Sequence, residues 1–288
     1  MANQIVETKL AGFPALQASG DRGRPPLLFL HGAFVTHESW RPWMERLAAR
    51  GWPVVAFSRR GRLGVGPARA AGLRFADYLD DTFRAVDALG EKPIVVGHSL
   101  GGLLAQKVAE ADRCQAMVLL APAPAAMLSA QPAAIPAYLT MLPKILTGAP
   151  VRPNCNACER IALNRVPASE RASKHARLVH ESGAVYRELM FGAVKVDPGK
   201  VRCPTLVLGG AHDRIISPAL LRFTAKHTGG ELKEYAEHGH WLLEEPGWQA
   251  VADDAGAWLD RTWAARLAPA GSAGDRPNTP AAATAIRA

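Results

Sequence analysis

The chain has 288 residues, of which 48% are hydrophobic and 21% charged. These values exclude a disordered chain, a collagen and a coiled coil, and the length suits one α/β domain with a sizeable insertion. The formal net charge is +8, which raises nucleic acid, an anionic surface or an acidic substrate as partners to be tested against the motifs.

Met1 to Gly20 lacks a basic segment followed by an apolar one, so no secretion leader is expected. Apolar runs at Leu27–His31, Val54–Phe57, Ile94–Gly97, Ala116–Leu120 and Thr205–Leu208 predict strands. They do not alternate, as befits a mostly parallel sheet covered on both faces. Helical patterns fill the intervals at 39–50, 75–89, 100–111, 218–227 and 246–263. The result is an α/β, doubly wound sheet. Between Ala121 and Thr205 the crossover is far longer than the dozen or so residues it needs. We therefore expect a core from 1–121 and 204–263, with a helical cap inserted at 122–203. Its helices fit 135–146, 157–165, 169–181 and 185–194. Inserted there, it would cover the carboxyl edge of the sheet, where α/β proteins bind ligands. The stretch 264–288 is rich in Ala, Pro, Gly and Thr and reads as a disordered tail.

Four cysteines are too few for a disulfide framework. Cys155 and Cys158 form a C-x-x-C without a second ligand pair, so no metal site is expected. They read as small apolar side chains in a reducing, cytoplasmic setting. No apolar run reaches the ~18 residues of a membrane span.

Gly97-His98-Ser99-Leu100-Gly101-Gly102 stands between a predicted strand and a predicted helix. This is G-x-S-x-G in the context that gives it chemical meaning. A strand turning at once into a helix lifts the serine hydroxyl above the sheet, and the flanking glycines let the chains pass. Ser99 needs a base. His240 follows the last strand-like segment, Leu232–Tyr235. It is preferred to His238 because Gly239 frees the backbone before it and Trp241 can anchor the loop behind it. The base needs an orienting carboxylate, and Asp213 lies just beyond the Thr205–Leu208 strand. The alternative position, after Ala121, offers no acid. Glu244 and Glu245 read as acids at a helix N-terminus. The oxyanion donors would be the N–H groups of Leu100 and Ala33, with Phe34 as the fallback. His31 and His98 are expected to hold turns.

These residues resemble the α/β-hydrolase superfamily over about Leu27 to Asp260. The motifs are His31-Gly32, the Ser99 pentapeptide, Asp213 followed by Pro218, and Gly239-His240. The chain looks like the capped serine esterase and lipase-like branch. That resemblance implies a catalytic triad, no metal and no organic cofactor. Serine at position 99, where dehalogenases and epoxide hydrolases of this fold carry aspartate, disfavours those chemistries. Many relatives carry Asp-x-Arg-Gly-x-Gly-x-Ser after the second predicted strand. Here Ser58 replaces the acid and the loop is longer.

The expected activity is cleavage of a small-molecule carboxylic ester through an acyl-enzyme, with an apolar acyl or alcohol part. Phe34, Tyr138, Leu142, Tyr186, Met190 and Trp241 are the candidate substrate wall. Lactone, amide or carbon–carbon cleavage and perhydrolysis would use the same residues. A receptor that keeps the pocket without catalysis is a separate class, disfavoured by the complete Ser, His and Asp set. No nucleic-acid motif accompanies the charge. From Pro122 to Cys203, eleven Lys and Arg face five acids, a net +6. The basic balance thus belongs largely to the expected cap. Solvated helix faces would explain it, as would steering of anionic substrates.

Overall fold

The computed structural model describes residues 4–62, 66–128 and 131–267. Among these, eight strands form one sheet: β1 (Val6–Leu10), β2 (Phe13–Ala18), β3 (Leu27–Leu30), β4 (Val54–Phe57), β5 (Ile94–His98), β6 (Ala116–Leu120), β7 (Thr205–Gly210) and β8 (Glu231–Tyr235). Their order is β1-β2-β4-β3-β5-β6-β7-β8. β1 and β2 are antiparallel to their neighbours and the remaining pairs are parallel.

Every residue of β3, β5, β6 and β7 is buried. The pleat divides each strand between two cores. Leu28, Val95, Met117 and Val207 join one cluster, with α2 (Phe75–Ala88), α3 (Leu100–Glu110) and α8 (Pro218–Thr228). Leu27, Ile94, Val118 and Leu206 join the other, with α1 (Arg41–Ala48) and α9 (Trp248–Leu267). Trp40, Trp43 and Trp52 are fully buried on that second face. Side chains of this size dominate core burial, which explains why a four-residue strand there is stable.

β1 and β2 were not expected. They are an edge hairpin with mixed exposure, so no continuous apolar run announces them. Residues 39–50 also differ, forming a 3-10 turn at His37–Trp40 before α1. The last helix runs past the expected boundary at 263 to Leu267. The rest of the expected tail lies outside the described residues.

Between β6 and β7 lie α4 (Ile135–Thr147), α5 (Cys155–Ile161), α6 (Ala168–Ala176) and α7 (Gly183–Met190). α6 stops short of the expected residue 181 because the chain straightens to pair Glu181 with Val151. α4, α5 and α7 share an apolar cluster containing Tyr138, Ile145, Ile161 and Tyr186, which Phe34 of the core packs against.

Candidate active site

Ser99 sits between β5 and α3 with φ 52° and ψ −118°. A non-glycine residue held at positive φ stores strain, and such strain gathers at functional turns. The neighbouring glycines explain how the turn fits. A Cβ on Gly97 or Gly101 would collide with the Gly101 or Leu30 carbonyl, respectively. Leu100 begins α3, so its N–H has no intrahelical acceptor.

Asp213 follows β7 and is buried. Its Oδ1 accepts from the N–H groups of Ile215 (2.7 Å) and Ile216 (2.9 Å). That turn fixes the carboxylate and aims Oδ2 at His240 Nδ1, 2.8 Å away. The arrangement places the proton on Nδ1 and leaves Nε2 as the basic nitrogen. His238 is turned elsewhere, with its ring against Tyr235 at 5.4 Å.

The loop carrying His240 is held from two sides. His98 Nε2 donates to the His240 carbonyl at 2.9 Å. Burial, with the nearby His240 second, lowers the His98 pKa to about 3, so the ring is neutral. On the other side, Glu245 accepts from Gly239 N–H (2.7 Å) and Trp241 N–H (2.9 Å). One carboxylate therefore grips the peptides flanking His240. Burial raises the Glu245 pKa above its ordinary value. The reading of Glu244 and Glu245 as helix N-terminal acids is corrected, because α9 begins only at Trp248. Glu244 instead accepts from Trp241 Nε1 (3.1 Å) and pairs with Lys174 and Arg177 of the insertion. The sequence signal for Glu245 was weak: an acid five residues after the histidine, beside another acid.

Ala33 and Phe34 follow β3. Phe34 has φ 64°, and its carbonyl accepts from Val179 N–H at 2.7 Å. Gly32 lies so close to the Ser99 turn that a Cβ there would be 3.3 Å from Ser99 Cβ. Ser58 is buried and bonded to His37, with His37 Nδ1 at 2.6 Å. Arg60 reaches across to Asp80 and Asp81.

A cavity of about 50 Å³ opens onto these groups. Ser99, His240 and Ala33 line it, together with Phe34, Tyr186 and Trp241. Tyr138, Leu142 and Met190 are not part of the lining, which corrects their expected place in the wall. Tyr138 faces the insertion's own core and Met190 packs against that core, while Leu142 is half-buried on α4. Leu189 of the insertion lines it as expected, while Leu128, Ile161 and Ile215 supply wall that was not expected. Among the described residues, no Lys, Arg, Asp or Glu lines the cavity. Cys158 does, with its thiol pushed up to about 12 by burial. No cluster able to hold a metal ion occurs among the described residues.

Residues 27–254 match the model of the alpha/beta hydrolase family. The AB hydrolase superfamily protein YfhM of Bacillus subtilis (strain 168) is 27% identical over 79% of this chain and 88% of its own. Epoxide hydrolase 3 of Xenopus tropicalis is 26% identical over 79% of this chain and 70% of its own. Among solved structures, the monoacylglycerol lipase of Paleococcus ferrophilus superposes with a TM-score of 0.66. It covers 90% of this chain and 99% of its own at 21% identity.

Proposed function

The chain belongs to the α/β-hydrolase family, and we propose that it is a serine hydrolase cleaving uncharged carboxylic esters. The observation that carries this reading is the hydrogen bond from His240 to Asp213 in a cavity that also exposes the strained Ser99. Ser99 Oγ attacks the acyl carbon while His240 Nε2 takes its proton. The carbonyl π electrons move to oxygen, and the N–H groups of Leu100 and Ala33 receive that charge. Collapse expels the alcohol, which takes the proton from His240. Water then repeats the sequence and frees the acid, while Asp213 holds the imidazole throughout.

The lining argues for substrate class. A cavity without a charged side chain would bury a substrate carboxylate or phosphate at a cost of several kcal/mol. None of the insertion's eleven cations lines it. We place the insertion over the site as a cap that selects apolar groups, with its basic surface outside. The epoxide-hydrolase reading suggested by one relative is disfavoured by Ser99, which forms an acyl ester readily but is a poor substitute for a carboxylate nucleophile.

The test is a fluorophosphonate probe, read by intact mass. Ser99 Oγ would bond to phosphorus as fluoride leaves, so the wild type gains one phosphonyl group and Ser99→Ala gains none. Hydrolysis of apolar aryl esters should vanish in the same variant. Turnover retained by Ser99→Ala would overturn the mechanism.

A further inference from the structure

Behind the nucleophile turn lies a buried cation that the reaction scheme does not use. Arg59, just past β4, is 1% exposed. Its Nη2 donates to the carbonyls of His31 (2.9 Å) and Gly32 (3.3 Å). Its Nε and Nη1 have no hydrogen-bond partner among the described residues. The guanidinium lies 5.3 Å from the Tyr78 ring, with Arg62 on the same ring at 5.2 Å. Glu181 pairs with Arg62 and accepts from Tyr78 Oη at 2.7 Å. Glu181 thus compensates Arg62 directly, while no carboxylate among the described residues is bonded to Arg59. Burial, with Arg62 second, pushes the Arg59 pKa down to about 9. A solvent-facing lysine or an apolar residue would fill such a place at less electrostatic cost. Costly buried charge of this kind usually marks a functional arrangement.

The chemistry of the peptide group gives the cation a task. The Gly32 carbonyl and the Ala33 N–H belong to one planar trans unit, in which C=O and N–H point in opposite directions. A donor fixed on the carbonyl side therefore sets the direction of the N–H. Hydrogen bonding to a charged donor also polarises the unit and strengthens the N–H as a donor in its turn. Ala33 lines the cavity beside Ser99.

We propose that Arg59 is a positioning residue for the oxyanion site, gripping the Gly32 carbonyl so that the Ala33 N–H faces the charge that develops on the substrate. This rests on the serine-hydrolase reading. His31 assists the same carbonyl, since its Nδ1 lies 2.9 Å from Gly32 O. That contact is a hydrogen bond when Nδ1 carries the proton, and Arg59 then addresses only the two carbonyls. Burial first, then Arg59 and Arg62, hold the His31 pKa well below its ordinary value, so the ring is neutral. The same geometry separates the two oxyanion candidates on this loop. It orients the Ala33 N–H and does nothing for that of Phe34.

The experiment compares wild type with Arg59→Met and Arg59→Lys on an apolar aryl ester. Removing an oxyanion donor outright costs ~100- to 1000-fold in kcat. Loss of its alignment should lower kcat about 10- to 100-fold in Arg59→Met, with KM changed less than about threefold. Arg59→Lys should recover part of the loss because it keeps a cationic donor. Fluorophosphonate labelling should slow in parallel, since phosphonylation builds charge in the same place. If Arg59→Met does not fold, Arg59→Gln, a neutral donor, should still show a lowered kcat at constant KM. An unchanged kcat, a loss confined to KM, or no recovery in Arg59→Lys would overturn the inference. Wild type labelled at Ser99 with an unaffected Arg59→Met would overturn this inference alone. Wild type that is not labelled would overturn the serine reading and this inference with it.

Discussion

The sheet and the inserted helices divide the site between them in different currencies of interaction. Ser99, Asp213, His240 and Ala33 each stand beyond the carboxyl end of a strand of the core. They are held by short hydrogen bonds among buried groups, as between Asp213 and His240 or Glu245 and its two peptides. The insertion gives the cavity apolar wall, including Ile161, Leu178, Tyr186 and Leu189. It meets the core through an ionic seam: Arg62 with Glu181, Arg74 with Glu188, Arg177 with Glu244 and Arg165 with Glu237. The contrast teaches why one fold can keep its reaction while changing its substrate. Ser99, Asp213 and Ala33 follow strands buried on both faces, whereas the wall hangs on pairs at the seam.

The sharpest way to break the core half of that contrast is Asp213→Asn. The amide keeps the shape but donates where the carboxylate accepted, so His240 is pushed into the wrong tautomer. We expect kcat to fall about 10⁴-fold, by analogy with the known triad substitution. The melting temperature should change little, because the turn to Ile215 and Ile216 can be kept by the amide oxygen. A loss of activity matched by unfolding would mean that Asp213 is chiefly structural.

The seam is tested by Glu181→Ala. Arg62 and Glu181 are both fully buried, and the carboxylate also accepts from Tyr78 and from the Ser182 N–H. Removing one partner of a buried pair costs about 3–5 kcal/mol because the other charge is left without compensation. Urea unfolding would read this loss. Hydrogen exchange should show the amides of α6 and α7 opening before those of β5 and β6. Uniform opening would mean that the two regions are one cooperative unit.

How much of this could be read in the sequence follows from the same contrast. β3, β5, β6 and β7 are doubly buried, so their apolar runs are unbroken and easily recognised. β1 and β2 lie at the sheet edge, where exposure alternates irregularly and the pattern dissolves. The Ser99 turn is local and announces itself through its glycines. The grip of Glu245 on the His240 loop depends on where α9 begins, which no local pattern fixes. Nothing local marks Arg59 and Arg62, beside a glycine loop, as buried, yet the fold closes over both. In the insertion, α4, α5 and α7 each have an apolar face, and composition does not say which face meets the cavity. Tyr138 and Tyr186 look alike in sequence, and only Tyr186 lines it.

Acid supplies the gentlest test, and it acts on the core first. His98 and His31 are buried and neutral, and both are held below the ordinary histidine range chiefly by desolvation. Above pH ~6.5 the folded and unfolded chains are both neutral at these positions, so stability is unaffected. Below that value the unfolded chain takes up protons that the folded one refuses. Stability therefore falls with falling pH, and for His98 the loss continues towards the folded value of about 3. Each histidine contributes at most about 1.4 kcal/mol per pH unit within its window. His98→Gln can retain a donor for the His240 carbonyl while removing the titration. Urea unfolding at a series of pH values between 6 and 4 should show a slope shallower than that of wild type by about one proton. An unchanged slope would mean that the acid sensitivity resides elsewhere, with the carboxylates of the seam the first place to look. A shallower slope would locate it behind the nucleophile turn and make the core, for all its burial, the part of the molecule that acid undoes.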